Sequence, residues 1–512
     1  MLNISEMKAE PVIKMELEKK KIKPIKNPLI QLTGPELQSH LIKRTKGTAW
    51  RFTPVALDEE KAYKKIILVL KLQRKMQKLS VKLPKKKDGL HHLTAIIRKS
   101  SFLKHLDLDF SICRAKDFEL KSLRESLQTL RSLQNLYLNF FSCNSLTNVG
   151  IKSLSKGLRY LNSLNEISLE FFNYYMMKDT ELVTLSHGLQ KLTYLKRIYL
   201  SLLSCRLLTD TGLNSLIQGF QALTSLQRIE LTFDSSQVTD SGLHHFKEGL
   251  QNLPSLQDVS LSFPSCQKIT DIGLEYLSQD LQTIASLETL SLMFLSNQTI
   301  TDTGLNAMIQ IFQTHGSLKG VSLSFYSCSK ITDVGLKYLK EGLSNLTSLK
   351  DLSLKFDSCS QIGNTGLSYL RQSLQGLTSV QRLSLSFARF LKITDSGLKY
   401  LKEGLQGLTS LQNLYLNFFL CSNITDTGLN HLSQSLQNLA SLKEISLNIS
   451  YCQNLSDFGL RYLRKGLKGL SLLQSILLFC SSCKNITNTG RNRLKEKLQK
   501  KLKSLKYIHI SG

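Results

Sequence analysis

Apolar residues recur along this chain in two alternating periods. In Leu411–Ser441, LQNLYLNFFLCSNITDTGLNHLSQSLQNLAS, the residues Leu414, Leu416 and Phe418 alternate with Asn413, Tyr415 and Asn417. That period of two predicts a short strand with one face buried. Beyond Cys421, Leu429, Leu432, Leu436 and Leu439 fall at helical spacing, and Thr425 or Asp426 stands where the helix needs a cap. The strand and the helix bury these faces against each other. A strand-helix crossover repeated in one sense builds a parallel sheet with helices on its outer side.

The pattern recurs through most of the chain. The glycine before the first helical leucine, or its substitute, returns at Gly89, Glu119, Gly150, Glu181, Gly212, Gly242, Gly273, Gly304, Gly335, Gly366, Gly397, Gly428, Gly459 and Gly490, about 14 units of ~31 residues. Such regularity leaves no room for an inserted catalytic domain. Ordering one unit costs more than its own apolar burial returns, so units are stable only when stacked. The column Phe110, Phe140, Phe171, Phe233, Phe263, Phe294, Phe325, Phe356, Phe387 and Phe418 therefore reads as an internal spine. Aligned Cys113, Cys143, Cys205, Cys266, Cys328, Cys359, Cys421, Cys452 and Cys483 read as small buried thiols rather than a disulfide framework.

LxxLxLxF followed by CxxITDxGLxxL resembles leucine-rich repeats, specifically the ribonuclease-inhibitor-like and cysteine-containing kinds. The resemblance covers Gly89 to the C-terminus. It implies an α/β solenoid, a curved horseshoe with a parallel β-sheet on the concave face and helices on the convex face, which usually binds a protein. In cysteine-containing members the thiol lies closer to the strand leucines; LxLxFxxC adds two residues here. The CxxITDxGL portion is also similar to repeats of F-box substrate adaptors, which implies a ubiquitin-ligase role as an alternative. No F-box is readable before the repeats.

Ahead of the array, residues 1–56 read as a basic, flexible segment broken by Pro11, Pro24, Pro28, Pro35 and Pro54. Residues 57–88 read as a capping unit: a helix from Asp58, then a strand in which Leu79, Val81 and Leu83 alternate. Residues 89–512 form the repeat domain, ending in a basic cap. Net charge is +28, concentrated at the ends: residues 1–88 carry 22 Lys/Arg against 9 Asp/Glu, and residues 484–512 carry 9 against 1. The basic termini point to a weak anionic partner, nucleic acid or acidic lipid. No apolar run spans a bilayer and no signal peptide is readable, so the expected location is cytoplasmic or nuclear and the expected state monomeric.

Catalytic motifs are missing: there is no GxGxxG, Walker loop, HExxH or GxSxG. Cys480 and Cys483 have CxxC spacing, but they occupy the Phe and Cys columns. His91-His92 and His244-His245 read as adjacent surface residues on helices. The repeated Asp of Ile-Thr-Asp reads as a helix cap. No metal, cofactor or enzymatic role follows. What remains for recognition is the outward side of the strands, where Ser260, Ser291, Ser322, Ser353 and Ser384 form a smooth column. Two patches depart from it. Around the third unit, Tyr137, Phe141, Phe172 and Tyr199 point outwards beside the atypical loop Tyr174, Tyr175, Met176 and Met177; Tyr415 and Phe419 form a second patch. Aromatics and methionines grouped in this way suit an unidentified protein partner.

Overall fold

A computed structural model describes residues 40–45, 49–54, 76–83, 89–111, 115–235 and 237–512. The helix expected from Asp58, the Lys85–Lys87 run, Cys113 and the first 39 residues lie outside the described residues. Among the described residues the period-two segments form strands and the helical stripes form helices, one of them broken. The chain runs β1 (His40–Thr45), β2 (Ala49–Pro54), β3 (Lys78–Lys82), α1 (Gly89–Arg98), β4 (His105–Asp109), α2 (Asp117–Leu127), β5 (Asn135–Asn139), α3 (Asn148–Leu158), β6 (Glu166–Glu170), α4 (Asp179–Leu189), β7 (Arg197–Leu202), α5 (Asp210–Phe220) and β8 (Arg228–Phe233). The alternation continues to a last helix, Asn488–Lys501, and a last strand, Tyr507–Ser511.

Among the described residues all strands belong to one open 17-stranded sheet. β1 and β2 pair antiparallel, β2 joins β3 in parallel, and each later strand pairs in parallel with the next unit's strand. His40–Thr45 and Ala49–Pro54 thus extend the sheet ahead of the first repeat, in a part of the N-terminal segment for which the sequence suggested no regular element. Strands stack at ~4.8 Å and helices need ~8–10 Å, so the wider helical layer takes the outside of the bend and the sheet the inside.

The core is one column of apolar layers. Leu414, Leu416, Leu429, Leu432, Leu436 and Leu439 are buried, as their periods require. Phe rings stack from unit to unit, with centroids 5.0 Å apart for Phe110 and Phe140, 5.1 Å for Phe140 and Phe171, and 5.6 Å for Phe294 and Phe325. Leu202 interrupts the column between Phe171 and Phe233, and Ile449 and Cys480 continue it past Phe418. The helix of the unit containing Gly242 is broken into Asp240–Leu243 and Phe246–Leu250, with His244 and His245 at the break rather than within a helix. The buried Asp280 of the next unit accepts the Lys247 N–H exposed by that break at 2.9 Å.

Candidate functional site

Most repeated polar residues are used to join one unit to the next. Thr is the cap of its own helix: Thr301 Oγ1 accepts the Thr303 N–H at 3.1 Å. The Asp, expected from sequence to cap the same helix, instead serves the following one. Asp271 Oδ1 accepts the Thr301 N–H at 2.8 Å and its Oδ2 accepts the Thr301 hydroxyl at 2.6 Å. The lock recurs from Asp117 to Thr147 and onward to Asp457 and Thr487. It also explains the glycine: a Cβ at Gly304 would overlap Asp271 Oδ1. Where Asn148 replaces the Asp, the next unit carries Lys178 for Thr and Glu181 for Gly, and the Glu181 carboxylate accepts the Lys178 N–H at 3.0 Å. A capping box within one unit thus replaces the lock between two.

The cysteine loop is equally structural. Before each described Cys of the loop column the chain turns through a left-handed residue such as Ser358 (φ 62°) or Leu420 (φ 59°), which accommodates the longer LxLxFxxC spacing. The thiol then points back to the preceding unit: Cys421 Sγ lies 3.0 Å from the Phe387 carbonyl and Cys452 Sγ 3.1 Å from that of Phe418. Burial pushes the Cys266, Cys328 and Cys421 thiols up to about 12. Thiolate is the reactive form, so these cysteines should resist iodoacetamide at pH 8 in the native protein and react fully once it is denatured; mass mapping of the adducts checks this.

The atypical third-unit loop keeps the same frame, which corrects two of the expected contact residues. Tyr174 stands at the Cys position and Met177 at the position of Leu146 and Leu208, and both are 0% exposed. The Tyr174 hydroxyl donates to the Leu146 carbonyl at 2.6 Å, and burial raises its proton affinity. Only Tyr175 (44% exposed) and Met176 (56%) face solvent from this loop. The Arg206 guanidinium lies over the Tyr175 ring at 5.9 Å, and exposed Leu207 occupies Met176's position one unit on.

The other third-unit residues do come together. Register places Tyr137 between Asp107 and Ser168, and Tyr199 between Ser168 and Glu230, on the outward side of β4–β8. Phe141 and Phe172, both half-buried, lie at the ends of their strands with ring centroids 4.9 Å apart. Asp109, Asn139 and Glu170 form the adjoining column, a group that the sequence reading missed because its ends lie two repeats apart in the chain. A pit of about 360 Å³ opens among Ser80, Lys82, Asp107, Asp109, Tyr137, Asn139, Ser168 and Glu170. Burial, then Glu166, raises the Tyr137 phenol; burial, then Glu170 and Glu230, raises that of Tyr199. Both hydroxyls stay protonated; that of Tyr137 donates to the Glu166 carboxylate, and that of Tyr199 is left able to donate.

Charges at the opposite ends of these strands neutralise one another. Arg197 pairs with Glu166 at 2.7 Å and Arg228 with Asp258 at 3.5 Å, and Arg382 pairs with Asp351. Glu170 differs: among the described residues no Lys or Arg forms an ion pair with it. Burial first, then Asp109 and Asp107, raises its proton affinity. The fold therefore holds this proton to a higher pH than the unfolded chain does, and stability drops as pH rises through that window. Glu170→Gln should remove the slope. The variant is expected to melt above wild type at neutral pH and level with it below the carboxylate range, as read by circular dichroism.

The second patch is looser. Tyr415 on the strand's outward side and Phe419 in the turn after it are half-buried, four residues apart, and Phe419 packs on exposed Tyr451 at 5.1 Å. Tyr415 lines a broader trough of about 530 Å³ along the serine column. Cys480 and Cys483 are both buried, and Cys480 Sγ lies 3.0 Å from the Ser511 carbonyl. Among the described residues no three His, Cys, Asp or Glu are grouped to hold a metal ion, and no helix is long and apolar enough to cross a membrane. No protein-family model matches the sequence, and no curated protein is found to be similar to it. The chain is a repeat solenoid of strand-helix units, and its outward strand positions in the third unit and beside it are the candidate site.

Proposed function

We propose that this is a leucine-rich-repeat protein of the ribonuclease-inhibitor-like, cysteine-containing kind, acting as a non-enzymatic scaffold that binds a protein partner, in the cytoplasm or nucleus and as a monomer. The partner is held on the N-terminal third of the concave face and the adjoining rim. One observation carries the reading. The recurring residues are consumed by core, caps and inter-unit locks, and the outward positions, small along the serine column, carry their larger aromatic group where Tyr137, Phe141, Phe172 and Tyr199 gather beside Tyr175 and Met176, Tyr415 and Phe419 forming a looser one. Half-exposed aromatics and methionine on a rigid sheet are what interface anchors require.

The test is affinity purification with mass spectrometry on three full-length forms: wild type, Tyr175→Ser with Met176→Ser, and Tyr415→Ser with Phe419→Ser. Loss of the wild-type partners from the first variant alone is expected, with all three melting alike. Unchanged capture by that variant rules the rim out. The basic termini support a second reading, association with a nucleic acid or acidic lipid. In the last helix only Leu494 and Leu498 are buried, leaving Lys495, Lys497, Lys500 and Lys501 exposed. Retention on heparin should then fall when those lysines become glutamine. The adaptor reading has weaker support, because His40–Thr45 and Ala49–Pro54 form strands of the sheet.

A further inference from the structure

We propose that the partner presents an extended segment to this face in which Lys or Arg side chains lie two residues from apolar ones. The inference rests on the protein-binding reading above and adds the chemistry of what is bound. It starts from the apolar shelf. Phe141 and Phe172 form a half-exposed ring pair, and Leu203, half-buried at the same position one unit on, extends it. The residue two before each ring ends its strand on the outward, half-buried side. These residues are Asn139 and Glu170, and Asp109 lies beyond Asn139 in the same register.

An extended segment laid along the strands meets a carboxylate column and then an aromatic shelf, with matching spacing of side chains on its lower face. Carboxylates outnumber cations in the pit, where Lys82 stands 3.6 Å from Asp109 and no described cation pairs with Glu170. Charge complementarity therefore selects a positive side chain. A metal ion does not fit, since these groups are not placed to ligate one. Tyr137 and Tyr199 flank the column; the Tyr137 hydroxyl is engaged by the Glu166 carboxylate, whereas that of Tyr199 can donate to a backbone carbonyl of the segment. The remainder of the concave face is a poorer match. Its serine column offers a smooth floor, and its strand-end charges are largely paired with each other.

The probe is a fluorescein-labelled Lys-Ser-Leu-Ser repeat peptide, followed by anisotropy on the full chain, with a Glu-Ser-Leu-Ser repeat as control. The Lys peptide alone should bind, more weakly as salt screens the carboxylates. Affinity should fall about tenfold or more in the Asp109→Asn, Glu170→Gln double variant and in Phe172→Ser, and stay unchanged in Tyr415→Ser. Equal binding of both peptides, or binding indifferent to the first two variants, overturns the proposal. Binding that emerges only when Lys19, Lys20 and Lys21 are changed to Glu also overturns it, because the chain's own basic stretch would then be the occupant. Capture of a protein partner that survives the Asp109→Asn, Glu170→Gln change would keep the scaffold reading and reject this one.

Discussion

Phe325→Ala is expected to lower stability by about 3–5 kcal/mol, the largest single effect of any substitution considered. The ring is fully buried and stacked between Phe294 at 5.6 Å and Phe356 at 6.0 Å, so truncation leaves a cavity and ends two ring contacts. Each such contact is worth roughly 0.5–1.5 kcal/mol beyond area burial. Neighbouring units stabilise one another, so the loss should not spread evenly. Hydrogen exchange should quicken in the units holding Phe294, Phe325 and Phe356 and remain slow at Phe110–Phe171. Denaturant unfolding, expected to be cooperative in wild type, should separate into two steps as the weakened interface divides the array. Uniform loss of protection would show that the rings do not act as an inter-unit spine.

The second large effect concerns the Asp-Thr-Gly lock. Asp271→Ala should cost about 2–4 kcal/mol, because it removes two charge-assisted hydrogen bonds and leaves the part-buried Thr301 N–H without its acceptor. Gly304→Ala should cost about 1–3 kcal/mol by overpacking, since the new methyl meets the Asp271 carboxylate. The pair should not add. With the carboxylate gone the methyl has room, and alanine favours the helix by about 0.8–1.0 kcal/mol over glycine. The double variant should therefore be little worse than Asp271→Ala alone. Strict additivity in chemical denaturation would show that the glycine is there for another reason.

The fold was legible because both periodicities are local. Leu414, Leu416 and Phe418 announce a strand within five residues, and Leu429, Leu432 and Leu436 a helix within eight. The lock was not legible in the same way. Thr301 and Asp302 are neighbours, so both look like caps of one helix, whereas Asp302 reaches Thr332 thirty residues on. A hint lay in the sequence: at Glu181 the glycine disappears where the preceding unit has Asn148 for Asp.

The candidate site was half legible. Alternation alone turns Tyr137 and Tyr199 outwards, and the structure places them there. Tyr174 and Met177 were misjudged because the loop was read by its chemistry, although its spacing aligns Tyr174 with Cys143 and Cys205 and Met177 with Leu146. Asp107, Asp109 and Glu170 are ordinary strand carboxylates in sequence and become a group only through parallel register.

The central claim, that a protein is held on the N-terminal third of the sheet's outward face, is tested most directly by hydrogen exchange of the full chain with and without its captured partner. Added protection is expected across β4–β7 and residues 172–177, with the helices of the same units unchanged. Protection confined to the helical side, or to the last helix, would contradict the claim.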